Sequence, residues 1–176
     1  VKCDLGLTDI SIEKVDAPGD PDSSSQRDFY YPSGSHKGLN NGIYKIPLYW
    51  ESSGTHKIFT LLASIIPVLN NGGVAVIDEL EADLHPHLLP SLLDLFASKR
   101  TNPKSAQLIF SCHATPLLTY LDKYEILIVQ KGENGVSEAW RLDELEGVRS
   151  DDNYYAKYMA GAYGGLPDFD RASKND

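Results

Sequence analysis

Two adjacent carboxylates follow an apolar run near the middle of the chain. Residues 74–77 (VAVI) precede Asp78 and Glu79. An apolar run without alternation predicts a parallel strand that is covered on both faces. Because α/β sheets bind ligands at the carboxyl ends of their strands, one carboxylate there can hold Mg²⁺ and the next can deprotonate an attacking water. The alternative is a strand that ends in a solvated acidic turn.

A small, hydroxyl-rich turn lies earlier in the chain, with the sequence Glu51-Ser52-Ser53-Gly54-Thr55. It directly precedes an apolar pattern of helical period. The free N–H groups and the positive dipole end of a helix start can bind a phosphate. Serine and threonine also cap helices that bind nothing, and taken alone this turn favours that simpler interpretation.

Two histidines stand at positions that could reach a ligand. His85 follows the paired carboxylates in the run LHPH, and His113 follows a second apolar run, residues 107–111 (QLIFS). A histidine at the end of a buried strand can donate a hydrogen bond to a γ-phosphate oxygen. In isolation, His113 is more typical of a core or capping histidine.

The elements that must position these residues follow from periodicity. Two-residue alternation predicts strands over Thr8 to Val15 and Ile43 to Trp50, and helical spacing predicts helices over Thr55 to Leu69 and Pro86 to Ser98. Unbroken apolar runs predict buried strands over Val74 to Asp78 and Gln107 to Ser111. The rest is a loop over Ala17 to Asn41 with a short extended piece at Asp28 to Pro32, a short helix over Pro116 to Leu121, a hairpin of Glu125 to Gln130 with Ser137 to Leu142, a helix over Asn153 to Ala162 and a frayed tail from Asp168. This order predicts an α/β fold whose parallel core sheet has an antiparallel margin.

Composition limits the possible functions. The 176 residues carry a formal net charge of −9, so this segment gains nothing from counterion release and is a poor binder of nucleic acid. Its apolar runs are of strand length and too short to span a membrane. Cys3 and Cys112 have no metal-binding spacing, which suits a reducing cytoplasm, and we expect a cytoplasmic protein.

The runs ESSGTHK, GGVAVIDELEADLHPHLL and AQLIFSCHATPLL, in this order, resemble the ABC-type ATPases grouped as AAA15 and AAA21. These are kin of the SMC, RecF and Rad50 ATPase heads, and many belong to bacterial abortive-infection and anti-phage systems. The resemblance extends from Asp4 to Pro167. It implies a P-loop NTPase fold and identifies residues 1–176 as the C-terminal part of one ATPase domain. Residues 1–50 would hold strands and a long loop, 51–121 the motifs, and 122–176 the hairpin and last helix.

The resemblance implies a role for each motif residue. Ser52, Ser53, Gly54 and Thr55 look like the signature motif, which contacts the γ-phosphate held by a partner protomer. Asp78 resembles the Walker B residue that binds Mg²⁺, and Glu79 the catalytic base. The stretch Asp83 to Pro86, with His85, looks like the D-loop, and His113 like the switch histidine.

The sequence departs from the family pattern at three points. His85 stands at a D-loop position that aspartate usually fills. Ala114 stands where relatives often have an aspartate that supports the switch histidine. No G-x-x-x-x-G-K-[ST] loop occurs in the chain, so an upstream segment or another chain must contribute the Walker A lysine and its loop. Because the chain also opens without methionine, we expect it to be a piece of a longer protein.

The resemblance implies ATP and Mg²⁺ as cofactors, and a homodimer or paired heads in which two subunits sandwich two nucleotides. Hydrolysis would switch the dimer and gate an effector, such as a nuclease partner. Nucleic acid is a possible ligand of the full protein, but not through this acidic segment. One alternative is a metal-dependent hydrolase or nuclease built on Glu79, Glu81, Asp83, His85 and His87. Another is a scaffold that binds ATP without hydrolysing it, against which the intact Glu79 argues.

Overall fold

The computed structural model describes residues 6–16, 28–132 and 134–166 of the chain. The chain divides into two compact units, which meet in sequence between Ser111 and Cys112. The first unit contains strands β1 (Leu7–Asp16), β2 (Asp28–Lys37), β3 (Ile43–Pro47), β4 (Val74–Ile77) and β5 (Gln107–Phe110), with helices α1 (Ser53–Asn71) and α2 (Leu88–Ala97). The second contains β6 (Leu127–Lys131), β7 (Ser137–Arg141) and helix α3 (Tyr154–Met159).

The first three strands form an antiparallel sheet in the order β1-β2-β3. Strand β2 corrects the predicted loop of residues 17–41, because nine of its ten residues, Asp28 to His36, pair with β1. The extended piece expected at 28–32 is the first half of this strand, and residues 17–27 lie outside the described part of the chain. Pro32 falls within this strand although proline cannot donate to a ladder. It lies opposite Ile12, where β2 has a neighbour on one side only, so the missing N–H need not remove a ladder bond.

The strand predicted over residues 43–50 ends earlier than expected. Strand β3 stops at Pro47, and Leu48–Trp50 form a 3₁₀ helix. A proline ends the ladder because it lacks an N–H donor. The buried side chain of Leu48 then turns the chain inward, and Glu51 closes this short helix by donating its N–H to the Leu48 carbonyl at 3.0 Å.

Helix α1 confirms the helix predicted from apolar spacing and extends it by two residues at each end. Its buried stripe recurs at helical intervals: Thr55, Ile58, Leu61, Ile65 and Leu69. The helix ends at Gly72, whose φ of 79° lies in the left-handed region that glycine adopts without a steric penalty. Helix α1 packs against β4 and so places the 52–55 turn in the same unit as the paired carboxylates.

Strands β4 and β5 form a two-stranded parallel pair, in which Ile77 lies opposite Phe110. One face of the pair is half-buried, whereas Val74, Val76 and Ile109 on the other face are exposed, Val76 to 76%. The expectation of cover on both faces is therefore wrong for the described residues. The physical reason is that an unbroken apolar run does not itself contain the elements that cover its two faces, and the described elements cover one of them.

The remaining predicted elements are present with small shifts. Helix α2 begins at Leu88, so Pro86 lies in the preceding turn and not in the first helical turn. The short helix predicted after His113 is a 3₁₀ helix, Thr115–Thr119. Strands β6 and β7 confirm the antiparallel hairpin, and α3 is a shorter version of the last predicted helix. The tail from Asp168 lies outside the described residues.

The second unit has a hydrophobic core of its own. Its buried members are Ile126, Ile128, Leu142, Tyr154 and Tyr163, and partly buried Trp140 and Tyr158 pack against them. The indole N–H of Trp140 donates to the carbonyl of Tyr163 at 3.1 Å, which joins β7 to the segment after α3.

No helix within residues 6–16, 28–132 and 134–166 is both long and apolar enough to cross a membrane.

Candidate functional site

The turn after β4 holds the paired carboxylates in an unusual backbone conformation. Asp78 and Glu79 are both exposed, and Glu79 has a φ of 48°. Residues other than glycine seldom occupy this left-handed region, at a cost of about 1–3 kcal/mol, and they persist there only when surrounding contacts hold them. Such strain concentrates at functional sites, so the conformation of Glu79 marks this turn as a candidate site.

The contact that holds the turn comes from Ser111, the residue directly after β5. Its hydroxyl donates to the Asp78 carboxylate and accepts a hydrogen bond from the Glu79 N–H at 2.8 Å. The Leu80 N–H donates to the Ser111 carbonyl at 3.1 Å. One serine therefore orients the first carboxylate and fixes the backbone of the second.

Sequence reasoning missed this role of Ser111 and treated it as the end of a strand. The signal was present in the register. Phe110 lies opposite Ile77, so in a parallel pair the next residues, Ser111 and Asp78, must lie side by side. To find this contact from the sequence, one would have to know that the two apolar runs pair in parallel and in this register. A single sequence does not determine either.

The donor set at this turn fits Mg²⁺. Asp78 is a hard oxygen ligand whose carboxylate is exposed and oriented by the Ser111 hydroxyl. Magnesium in nucleotide sites is bound by one or two carboxylates and completes its shell with water and phosphate oxygens. Asp78 could therefore hold the ion without a cage of protein ligands.

The turn at residues 52–55 is a helix N-cap. Ser52 has an extended backbone, and its hydroxyl accepts the Thr55 N–H at 3.1 Å. The two side-chain hydroxyls of Ser52 and Thr55 lie 2.9 Å apart, and Thr55 is buried. Ser52 and Ser53 are exposed at the start of α1, where helical N–H groups have no partner within the helix. The capping interpretation is thus confirmed, and it leaves exposed donors that can still bind a phosphate.

Gly54 lies directly against the loop that follows the carboxylates. A Cβ at this position would meet the Asp83 carbonyl oxygen at 3.0 Å, closer than side chains normally tolerate. Asp83 itself has a φ of 60°, a second left-handed residue in this region. The structure therefore brings the 52–55 turn and the 83–86 loop together, and glycine is the residue that permits the approach.

His85 stacks on His87, with ring centroids 5.3 Å apart and an angle of 17° between the rings. Its Nδ1 accepts the His87 N–H at 3.3 Å. In the part of the chain that the structure describes, which includes residues 79–87, no three His, Cys, Asp or Glu side chains are placed to hold a metal ion.

His113 belongs to the second unit, just before the 3₁₀ helix at Thr115–Thr119. Its side chain is exposed, and its carbonyl accepts the Thr115 N–H at 2.9 Å. The structure joins Asp78, Glu79 and Ser111 at one turn. The role of His113 as switch histidine stays a prediction from the sequence.

Comparison with known families assigns the chain. Residues 6–119 match the family described as "AAA domain, putative AbiEii toxin, Type IV TA system". The chain belongs to this family. The match spans the 52–55 turn, the paired carboxylates and His113, so the resemblance read from these motifs is confirmed, and membership supports an ATPase-like function.

A solved structure of an SMC ATPase, studied for ATP-driven dimerisation and DNA-stimulated activation, has the same fold. The TM-score is 0.50 at 16% sequence identity, and the similarity covers 78% of this chain and 76% of that one. At this identity the likeness establishes the fold alone. It confirms the expected α/β class, of the P-loop NTPase type found in SMC heads. No curated protein matches the chain.

Proposed function

We propose that this chain contributes the signature, Walker B and switch-histidine parts of an ATPase that binds and hydrolyses ATP as a head-to-tail dimer and so drives a conformational switch. The observation that carries the proposal is the turn after β4, where Ser111 holds Asp78 and a left-handed Glu79 in one arrangement. A strained carboxylate at the carboxyl end of a parallel strand is the expected position of a catalytic base in an α/β fold.

The two carboxylates of this turn, and His113 as a further group, would each perform one part of the chemistry. Asp78 would hold Mg²⁺, which when bound neutralises charge on the phosphate oxygens. Glu79 would accept a proton from a water as the water oxygen attacks the γ-phosphorus and the bond to the β-phosphate oxygen breaks. His113 would donate a hydrogen bond to a γ-phosphate oxygen.

The turn at residues 52–55 would serve the nucleotide of the partner protomer. The exposed hydroxyls of Ser52 and Ser53 and the N–H of Gly54 would contact its γ-phosphate, with the helix dipole of α1 favouring the negative charge. Thr55, which is buried, would act by supporting Ser52. His85, in the exposed loop beside Gly54, would contact the nucleotide from the D-loop.

The site is completed by a segment that carries the glycine-rich loop and its lysine, since the 176 residues contain no such motif. The exposed face of β4 and β5 supports this part of the proposal. Parallel strands are normally covered on both faces, and Val74, Val76 and Ile109 form an apolar surface that an added segment of the same domain would bury.

The biological setting proposed for this switch is bacterial anti-phage defence or DNA maintenance. The description of the family, which names an AbiEii toxin and a type IV toxin–antitoxin system, supports the former. The SMC ATPase with the same fold was studied for activation by DNA, which supports the latter. With a net charge of −9, this chain would pass the switch to an effector or a basic partner and would not bind nucleic acid itself.

Mixing two inactive variants tests the composite site. The complete ATPase is this chain together with the segment that carries the glycine-rich loop. In it, Ser52→Arg blocks the turn at residues 52–55 and Glu79→Gln removes the base. A heterodimer of the two contains one doubly damaged site and one site with an intact signature and an intact Glu79. Steady-state ATP turnover of the mixture should therefore exceed the sum of the separate variants.

The matched control mixes Ser52→Arg with a protomer that carries both substitutions. Each site of that heterodimer faces a damaged signature, so turnover should stay at the sum of its parts. If heterodimers form and the first mixture recovers no more activity than the control, the sandwich arrangement is wrong. If each protomer hydrolyses ATP alone, Ser52→Arg should be active without any partner.

A further inference from the structure

A histidine–glutamate pair connects the three-stranded sheet to the turn at residues 51–55, which we call the signature turn. His36 Nε2 and Glu51 Oε1 lie 2.6 Å apart. The exposed fractions of the two side chains are 22% and 9%, so the glutamate carboxylate is almost fully shielded from water. Neither residue is among the site residues predicted from the sequence, although Glu51 opens the run that resembles the signature motif.

The two residues come from elements of different kinds. His36 is on β2, the middle strand of the sheet, where it lies opposite Tyr44 of β3. Glu51 directly precedes Ser52, the N-cap of α1. The pair therefore joins Glu51, the first residue of the signature turn, to the middle strand of the three-stranded sheet.

The sheet is shaped to receive this carboxylate. A Cβ at Gly34, two residues before His36, would lie 2.9 Å from Glu51 Oε1 and 2.3 Å from the Leu7 side chain. The φ of Gly34 is outside the left-handed region, so its backbone does not require glycine. What requires glycine is the space that the Glu51 carboxylate and Leu7 occupy.

The position of Glu51 depends energetically on its hydrogen bond from His36. A shielded carboxylate that loses its partner pays the full desolvation cost, so Glu51 would leave its place if His36 could no longer donate to it. Ser52 follows Glu51 in the chain, and its cap on Thr55 depends on an extended backbone at that point. Movement of Glu51 would therefore disturb the hydroxyls that face the partner's nucleotide.

We propose that His36 and Glu51 are positioning residues that hold the signature turn in the geometry needed to close the dimer on ATP. The inference rests on the proposed function, since it assigns the pair to the signature half of the composite site. It also makes the three-stranded sheet part of the ATPase machinery, because a distortion of β2 would reach the signature turn through this contact.

An ion pair elsewhere in the same sheet provides a matched control. Lys45 Nζ and Glu13 Oε1 also lie 2.6 Å apart, but their side chains are 53% and 32% exposed, and the pair joins β3 to β1. Breaking that pair removes a contact of equal length from the sheet and leaves Glu51 in place. Exposed pairs of this kind contribute little to stability.

The test compares His36→Leu, His36→Gln and Lys45→Leu in the complete ATPase. His36→Leu removes the donor and should weaken ATP-driven dimerisation, measured by sedimentation, by about tenfold or more, within the range of couplings measured for contacting residues. Nucleotide affinity of the monomer should stay unchanged, because its own Walker motifs are intact. His36→Gln keeps an N–H donor and should dimerise nearly as wild type. Lys45→Leu removes the donor of the exposed pair and should also dimerise nearly as wild type.

Hydrogen exchange tests the same pair without nucleotide. In His36→Leu and in Gly34→Ala, which displaces the carboxylate without removing a charge, the amides of Thr55 and His56 should exchange about tenfold faster, the scale expected from such a coupling. Amides of the β2–β3 ladder should keep their protection. If the ladder amides speed up equally, the pair merely stabilises the sheet and the proposal is wrong.

The outcomes separate the two levels of inference. Wild-type protein that does not dimerise with ATP would contradict the proposed function, whatever the variants do. Wild type that dimerises while His36→Leu dimerises equally well, or while Lys45→Leu loses as much, would overturn the positioning role alone. Loss in His36→Leu, retention in His36→Gln and faster exchange confined to Thr55 and His56 would support it.

Discussion

The two turns that would build the ATP site are stabilised in different ways. The signature turn is a regular helix N-cap, in which Ser52 has ordinary extended geometry and bonds to Thr55 three residues later. The turn after β4 places Glu79 at a φ of 48° and depends on the Ser111 hydroxyl, 32 residues away in sequence. A cap is supported by its own helix, whereas the left-handed backbone of Glu79 is held by a residue that follows a second strand.

This difference predicts how the two turns respond to substitution. At the signature turn, local hydrogen bonds survive most single changes, and damage should arise where a distant group touches it, as Asp83 touches Gly54. At the turn after β4, removal of one hydroxyl releases two contacts at once. Four substitutions test this contrast, from the largest expected effect to the smallest.

Glu79→Gln should have the largest effect. The amide keeps the size of the side chain but cannot accept the proton of the attacking water, so turnover in the complete ATPase should fall by about 10²–10⁴-fold. Nucleotide binding should persist, and the ATP-bound dimer should accumulate in sedimentation. Glu138→Gln, an exposed carboxylate on β7, serves as the control. A Glu79→Gln protein that keeps wild-type turnover would remove Glu79 from the role of base.

Ser111→Ala should weaken the turn after β4 without removing either carboxylate. Groups that orient a metal ligand typically change metal affinity or activity by about 10–100-fold. We expect the Mg²⁺ concentration for half-maximal turnover to rise by about tenfold, at the low end of that range, because Asp78 loses its hydroxyl donor. Ser111→Thr keeps the hydroxyl and should restore most of the metal response. Equal Mg²⁺ dependence in Ser111→Ala and wild type would show that the hydrogen bond does not orient Asp78.

Gly54→Ala has two opposing effects, a gain in helix propensity and a steric clash. Alanine favours a helix by about 1 kcal/mol over glycine, but its Cβ would press on the Asp83 carbonyl. A displacement of a few tenths of an ångström should lower turnover by about tenfold, less than the roughly hundredfold cost of a 1 Å misplacement. Thermal stability should change little. In the control Gly42→Ala, the new Cβ would meet only Tyr44 side-chain atoms at 3.6 Å or more, so normal turnover is expected. Full activity of Gly54→Ala would mean that the 83–86 loop yields freely.

Asp152→Asn removes an ion pair of the second unit, to which neither turn belongs, and should have the smallest effect. The Lys157 ammonium at 2.6 Å, helped by the Arg149 N–H, lowers the pKa of Asp152. A lowered pKa stabilises the fold above the ordinary pKa of the carboxyl, and this contribution is lost as the pH falls through the folded-state value. The variant should therefore melt slightly below wild type at neutral pH and together with it in acid.

The control for that comparison is Asp151→Asn. Asp151 pairs with Arg149 at 3.1 Å, but both side chains are more than 70% exposed, so the melting temperature should not change at either pH. ATP turnover should be normal in both variants. A turnover defect in Asp152→Asn at a temperature where the variant is fully folded would show that Asp152 contributes to activity beyond stabilising the fold.

The sequence by itself determined the elements whose signals are local. The apolar spacing of α1, the unbroken run of β4 and the hairpin of β6 and β7 each lie within a few consecutive residues, and all three are confirmed. The order of the motifs was enough to identify the family. The polar residues at the strand ends, Asp78 and Glu79, could be selected because strand ends are where an α/β fold binds ligands.

Tertiary structure decided which distant residues meet. The partners of the two turns, Ser111 for Glu79 and His36 for Glu51, lie 32 and 15 residues away from them, and no periodic pattern encodes such a pairing. Strand β2 lies within the loop predicted over residues 17–41, because its extended form depends on pairing with β1 and β3. The apolar runs of β4 and β5 could not show that, among the described residues, one face of the pair is covered and the other is exposed. In each case the deciding feature is a contact, or the lack of one, between residues that are far apart in sequence. Such contacts depend on the tertiary fold, and a local stretch of sequence does not specify them.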